Sequence, residues 1–257
     1  MMLLLLLCGV VVTISAATTP ASNSQPVVVV IHGLGLGEWA MQRVANALTE
    51  ADYRVVNLSY KSRKVPLEEL VSTWLPDQLE LHEISFGADD PPVHFVTQSM
   101  GGIMLRGWLD QQPVIPANLK RVVMFAPPNQ GSSLVDRIGD WRLFKLFTGV
   151  NGRRLSTQAD SYPNQLGPWP VGPELGIIAG NRPLNPLFAY WTGGPSDGKV
   201  RVAETKLSGM TDHIVMPYSH TWLQYSHQPI RQVITFLATG RFNHPPAAEA
   251  AEAATKH

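Results

Sequence analysis

Ser99 stands where Val93-His94-Phe95-Val96-Thr97-Gln98 meets Met100-Gly101-Gly102-Ile103-Met104, an apolar run that reads as a buried strand feeding straight into a helix. A serine at such a junction sits on a nucleophile elbow. The sharp turn lifts its hydroxyl above the sheet, and the glycine pair lets the helix lie close to neighbouring backbone. The Met100 N–H is left without a partner at the positive end of the helix dipole. A hydroxyl so placed can attack a carbonyl carbon once a base removes its proton. Serine is also a common helix N-cap, so Ser99 alone leaves that plainer role open.

Two further segments supply what the hydroxyl would need. Val27-Val28-Val29-Val30-Ile31 runs into His32-Gly33-Leu34-Gly35, a glycine-rich loop that can aim the Leu34 N–H at the same point as the Met100 N–H. Two converging donors form an oxyanion hole, although a βα turn can need glycine for its own sake. Asp197 lies in the turn Gly193-Gly194-Pro195-Ser196-Asp197-Gly198, and His220 follows Met216-Pro217-Tyr218-Ser219. The order Ser99, Asp197, His220 is the chain order of one class of serine hydrolases, with His220 as general base and Asp197 orienting it. Asp-Gly turns are common on their own. His32 is expected to hold its loop. Asp212 and His213 precede or begin the final strand, at the wrong end of a sheet for catalysis, and His227 begins the last helix.

These residues are useful only if strands deliver them to one edge. Short β-rich runs alternate with helical patterns, which predicts an α/β fold with a mostly parallel six-stranded sheet and helices on both faces. Strands are expected at Val27–Ile31, Arg54–Asn57, Val93–Val96, Arg121–Phe125, Leu175–Ala179 and Ile214–Met216, and helices over 38–50, 67–83, 100–111 and 228–238. Continuous Val, Ile and Phe in several strands indicates burial on both faces. Residues 129–173 break this rhythm and are expected to form a cap insertion. There Trp141 and Phe144, with Phe147 or Leu143, fall at helical spacing on one apolar face, away from Arg142 and Lys145. Trp141 and Phe144 are thus candidate acyl-pocket residues, with core packing as the alternative.

The chain has 257 residues and 44% hydrophobic content, with 20 basic and 20 acidic residues. That is enough chain for one sizeable core, and the even charge offers no footprint for nucleic acid. Cys8 is the single cysteine, which excludes an intramolecular disulfide and a cysteine metal cluster. Residues 1–17, MMLLLLLCGVVVTISAA, read as a signal peptide ending in small residues, which implies export to the periplasm or medium. The run lacks leading basic residues, so an uncleaved anchor or a misplaced start codon stays open, and Leu7 before Cys8 fits a lipidation site poorly. Residues 18–26 are expected to be a flexible lead-in, 27–242 the catalytic domain, and 243–257 an Ala/Glu tail without an apolar face.

Taken together, His32-Gly33, Leu58-Ser59-Tyr60, Gln98-Ser99-Met100-Gly101-Gly102, Pro128-Asn129-Gln130-Gly131-Ser132, Asp197-Gly198 and Ser219-His220 resemble the α/β-hydrolase superfamily. The likeness is to its minimal bacterial lipases and inositol-deacylase-like esterases, over about 27–242. The resemblance implies a sheet lacking the first two antiparallel strands of larger members, and hydrolysis of small-molecule or lipid esters without a cofactor. It also implies Ser99, Asp197 and His220 as triad, with the Leu34 and Met100 amides as oxyanion hole. Peripheral lipid contact through the cap is a separate expectation. Thr97 departs from the glycine usual two places before the nucleophile. Thr221-Trp222-Leu223 replaces the aspartate through which some of these lipases hold calcium, so no metal is expected. An acyltransferase using the same serine, and a silent binding protein on the same fold, are the rival readings.

Overall fold

The computed structural model describes residues 25–244; the expected leader and nearly all of the tail lie outside them. Six strands form one sheet: β1 Val27–Ile31, β2 Arg54–Leu58, β3 Val93–Gln98, β4 Leu119–Phe125, β5 Glu174–Gly180 and β6 Asp212–Met216. They lie in the order β2-β1-β3-β4-β5-β6, and every neighbouring pair is parallel. The chain moves outward from β1 to β2 and then crosses back to β3. The carboxyl ends of β1 and β3 therefore flank the switch point, the crevice where ligands bind in open α/β sheets.

Both faces of the sheet are buried, and the period-2 alternation of strands divides its side chains between two cores. Val27, Val29 and Ile31 point to one core with Phe95, Met124 and Ile177. Val28 and Val30 point to the other with Val96, Phe125 and Ile178. The first core is closed by the helical stretch beginning at Leu67 and by α3, Met100–Asp110. The second is closed by α1, Gln42–Glu50, and by the last helix, His227–Thr239.

Boundaries differ from expectation where local chemistry intervenes. The stretch 38–50 starts as a 3-10 turn, Glu38–Met41, before becoming α1. In 67–83 a π-helical turn, Leu70–Trp74, precedes α2, Leu75–Leu81. Pro76 has no N–H for the carbonyl four residues back and its ring crowds that carbonyl, which widens the helix at this point. The insertion contains α4, Ser133–Ile138, and α5, Arg142–Thr148, followed by a 3-10 helix, Gly149–Leu155. An unforeseen helix, α6, covers Pro186–Thr192 between β5 and β6. Its signals are local: the Asn185 side chain accepts from the Leu187 N–H, Pro186 opens the first turn, and Gly193 ends it in the left-handed conformation.

Candidate active site

Ser99 follows directly on β3 and precedes α3, with φ 52° and ψ −121°. For a residue with a Cβ this is costly backbone, of the kind that persists only where its surroundings enforce it. They do so here through hydrogen bonds from the Ser99 N–H to the Phe125 carbonyl at 2.8 Å and from the Gly102 N–H to the Ser99 carbonyl at 2.9 Å. Gly101 is required by contact, because a Cβ there would lie 2.6 Å from the His32 carbonyl oxygen. Thr97 is accommodated in the same way: its buried hydroxyl would be 3.1 Å from a Cβ on Gly102. The absent side chain at 102 makes the room that glycine at 97 would otherwise make.

Asp197 and His220 come together from loops after β5 and β6. The His220 Nδ1–H donates to Asp197 Oδ2 at 2.7 Å, and the His220 backbone N–H donates to the Asp197 carbonyl at 3.0 Å. The other carboxylate oxygen, Oδ1, accepts from the Lys199 N–H at 2.8 Å and the Val200 N–H at 2.9 Å. Both side chains are buried. A carboxylate fixed by two amides in its own turn presents one oxygen to the imidazole, which selects the tautomer with a bare Nε2. The ring makes no other hydrogen bond among the described residues. The turn is itself tied to the insertion, since the Ser132 hydroxyl donates to the Lys199 carbonyl at 2.6 Å.

The loop after β1 is held rigidly. The Tyr60 N–H donates to His32 Nε2 at 3.2 Å, so the proton of the neutral ring is on Nδ1, which donates to the Gly33 carbonyl at 2.8 Å. The Tyr60 hydroxyl donates to the His32 carbonyl at 2.8 Å, and the two rings stack with centroids 4.1 Å apart. Burial pushes the His32 pKa down and that of Tyr60 well up. His32 is thus a neutral bracket, as its place in the sequence suggested.

Ser62 and Asn151 were not singled out in the sequence, and they complete this bracket. The Gly35 N–H donates to Ser62 Oγ at 2.9 Å. Asn151, fully buried in the insertion, donates to the Ser62 and Val65 carbonyls at 2.8 Å each and accepts from the Leu67 N–H at 2.8 Å. The Leu34 N–H has no acceptor among the described residues. Met100 buries its side chain in the first core and, as the first residue of α3, has an amide free of the helix ladder.

Ser99, Leu34 and His220 line one cavity of about 450 Å³. The insertion supplies its apolar wall through Leu134, Val135, Ile138, Phe144 and Leu155, and Phe188 of α6 adds to it. Trp141 is not among the lining residues. Its backbone is extended just ahead of the first turn of α5, so helical spacing does not carry it onto the face of Phe144. It packs edge-on against Trp191 instead, with centroids 5.4 Å apart. Phe144 and Phe147, three residues apart on α5, do line the cavity together, whereas Leu143 does not, and the apolar side chains of α5 are not confined to that face. Leu143, Leu146 and Phe147 are each about two-thirds exposed (65%, 69% and 65%), beside the half-buried Phe144. The rival residues lie elsewhere: Asp212 starts β6 at the opposite end of the sheet, and His227 is exposed at the start of the last helix. His213 bonds Thr205 Oγ1 at 2.9 Å, and burial, followed by the charge of Lys206, pulls its pKa down to about 4.

No protein-family model and no curated protein matches the chain. Solved structures do match, at low identity. The mature form of the lipase BlEst2 from Bacillus licheniformis superimposes with a TM-score of 0.66 and 18% identity, covering 86% of this chain and 94% of that one. The phospholipase PlaB from Legionella pneumophila gives 0.58 and 18% over 71% of this chain, which spans only 46% of the phospholipase. The Pyrococcus furiosus esterase Pf2001 gives 0.55 and 16%, covering 84% and 83% of the two chains.

Proposed function

We propose that this chain, which has the α/β-hydrolase fold, hydrolyses carboxylic esters through an acyl-serine intermediate on Ser99. The observation that carries the reading is the 2.7 Å bond between Asp197 and His220, on a ring that opens into the same cavity as the strained Ser99. In the first step His220 Nε2 takes the Ser99 proton as the hydroxyl oxygen bonds to the ester carbonyl carbon. Asp197 stabilises the resulting imidazolium without taking its proton. Negative charge on the former carbonyl oxygen is met by the Leu34 and Met100 amides, each such donor being worth about 100–1000-fold in rate. Collapse breaks the bond to the alcohol oxygen, which receives the proton from His220. Water then repeats the sequence on the acyl-enzyme, releasing the acid and restoring Ser99.

The apolar wall supports an acyl site between the insertion and α6, and the exposed Leu143 and Leu146, with Phe147 at the cavity's edge, suit contact with aggregated or membrane-held ester. A series of p-nitrophenyl esters of increasing acyl length tests both points. The unmodified chain is expected to turn over the short esters, and to gain on the long ones when they are presented in phosphatidylcholine vesicles. Phe144→Ala should shift the chain-length preference while Trp141→Ala leaves it in place. No turnover by folded protein would remove the hydrolase reading, and an unshifted profile for Phe144→Ala would move the acyl site elsewhere.

A further inference from the structure

Beside His220, the cavity around Ser99 is walled by apolar and uncharged polar residues with one exception. Among the described residues, Lys199 is the only Lys, Arg, Asp or Glu in its lining. The hydrogen bonds of Lys199 belong to its backbone, whose N–H donates to Asp197 Oδ1 and whose carbonyl accepts from the Ser132 hydroxyl. Its ammonium makes no ion pair among the described residues. The carboxylate of its own turn is already engaged, since Asp197 holds two amides with one oxygen and His220 with the other.

The Lys199 side chain is exposed, so a ligand can reach it. Protein nevertheless surrounds the ammonium closely enough for burial to lower its pKa, with the charge of Asp197 acting the other way. A cation lodged in a concave site that stays open to water shows both properties. Its place also says which half of an ester it would meet, because it stands where the two walls of the acyl site come together. The insertion is tied to its carbonyl through Ser132, and the preceding Gly198 lies against α6, where a Cβ would be 3.8 Å from the Phe188 Cβ. Filling this space with an uncharged chain would strip water from the ammonium and leave it unpaired, which is costly, whereas an anion on the chain would replace that water with a charge-assisted hydrogen bond.

Resting on the ester-hydrolase reading, we infer that Lys199 binds a carboxylate carried by the acyl half of the substrate, so that the ester class this site prefers is the monoester of a dicarboxylic acid. The methylenes of such an acyl chain lie along the apolar wall, and its far carboxylate pairs with the ammonium. Hydrolysis consumes one water and releases the dicarboxylate and the free alcohol. Selectivity arises as much from the neutral competitor as from the anion, because a plain acyl chain of the same length leaves the cation unmet.

The test compares kcat/KM for the mono-p-nitrophenyl esters of adipic and suberic acid with kcat/KM for p-nitrophenyl hexanoate and octanoate, their neutral counterparts of equal length. The unmodified chain is expected to favour the acidic ester of at least one pair about tenfold, the worth of one charge-assisted hydrogen bond, and to favour it less at high salt. Lys199→Met should abolish the preference, Lys199→Glu should reverse it and Lys199→Arg should keep it. The ratio within a pair cancels any general loss from disturbing the Asp197 turn, and the salt dependence of the unmodified chain is a readout that needs no variant. No preference for the acidic ester at either length, or a preference that survives Lys199→Met, overturns the subsite and leaves Lys199 as a solvated side chain at the rim. A Lys199-dependent preference seen only when the carboxylate sits on the alcohol, as in the butyrate ester of γ-hydroxybutyrate against butyl butyrate, overturns its acyl-side placement. Failure of the hydrolase reading would show separately, as no turnover of any of these esters by the folded, unmodified chain.

Discussion

His220→Ala should lower kcat on a short p-nitrophenyl ester by about a million-fold, the loss seen when the base of a serine hydrolase is removed. In the proposed reaction the ring has two jobs: it removes the Ser99 proton and later returns one to the leaving alcohol, with its bare Nε2 as the atom available for both. His32, the other histidine next to the site, has both nitrogens committed and is held neutral by burial. The effect is read from kcat at saturating ester, with circular dichroism confirming that the variant keeps its fold. Near-normal turnover in a folded His220→Ala chain would remove the proposed base.

Asp197→Asn should lower kcat about 10⁴-fold, because an amide in place of the carboxylate favours the wrong imidazole tautomer. The amides of Lys199 and Val200 would still bond the Asn oxygen, so its NH₂ group would be turned toward His220 Nδ1. Asp212→Asn is the control that separates catalysis from stability. Burial alone would raise the Asp212 pKa, but hydrogen bonds from the Phe242 N–H, the His244 ring and the His213 N–H outweigh it and hold the carboxyl below its usual range. A depressed carboxyl pKa contributes stability above the unfolded-state value that disappears as pH falls through the folded-state value. Asp212→Asn should therefore lower Tm at neutral pH with kcat unchanged. A large fall in kcat for Asp212→Asn, with Asp197→Asn near normal, would exchange their roles.

The reach of the sequence follows from where each signal resides. Strand β1 is five consecutive Val and Ile residues, and β3 runs apolar into Ser99 and a glycine pair, so these elements and the turn between strand and helix are written in contiguous residues. The Asp197–His220 pairing was readable because both residues follow strands of a parallel sheet, whose carboxyl ends share one edge. The Ser62–Asn151 bracket was not readable. Its bonds join residues separated by 27 positions (Gly35 to Ser62) and 84 positions (Leu67 to Asn151), and neither residue belongs to a periodic pattern or motif. Trp141 was misleading for the opposite reason: three-residue spacing to Phe144 is helical only if the helix has already begun, and it begins at Arg142.

Covalent labelling by a fluorophosphonate, which reacts with activated serine hydroxyls, tests the central claim most directly, that Ser99 is the nucleophile activated by His220. Intact-mass spectrometry of the folded chain should show one adduct, peptide mapping should put it on Ser99, and His220→Ala should slow its formation to the level of an ordinary serine. No adduct on the folded protein, or an adduct on any other residue, would contradict the account.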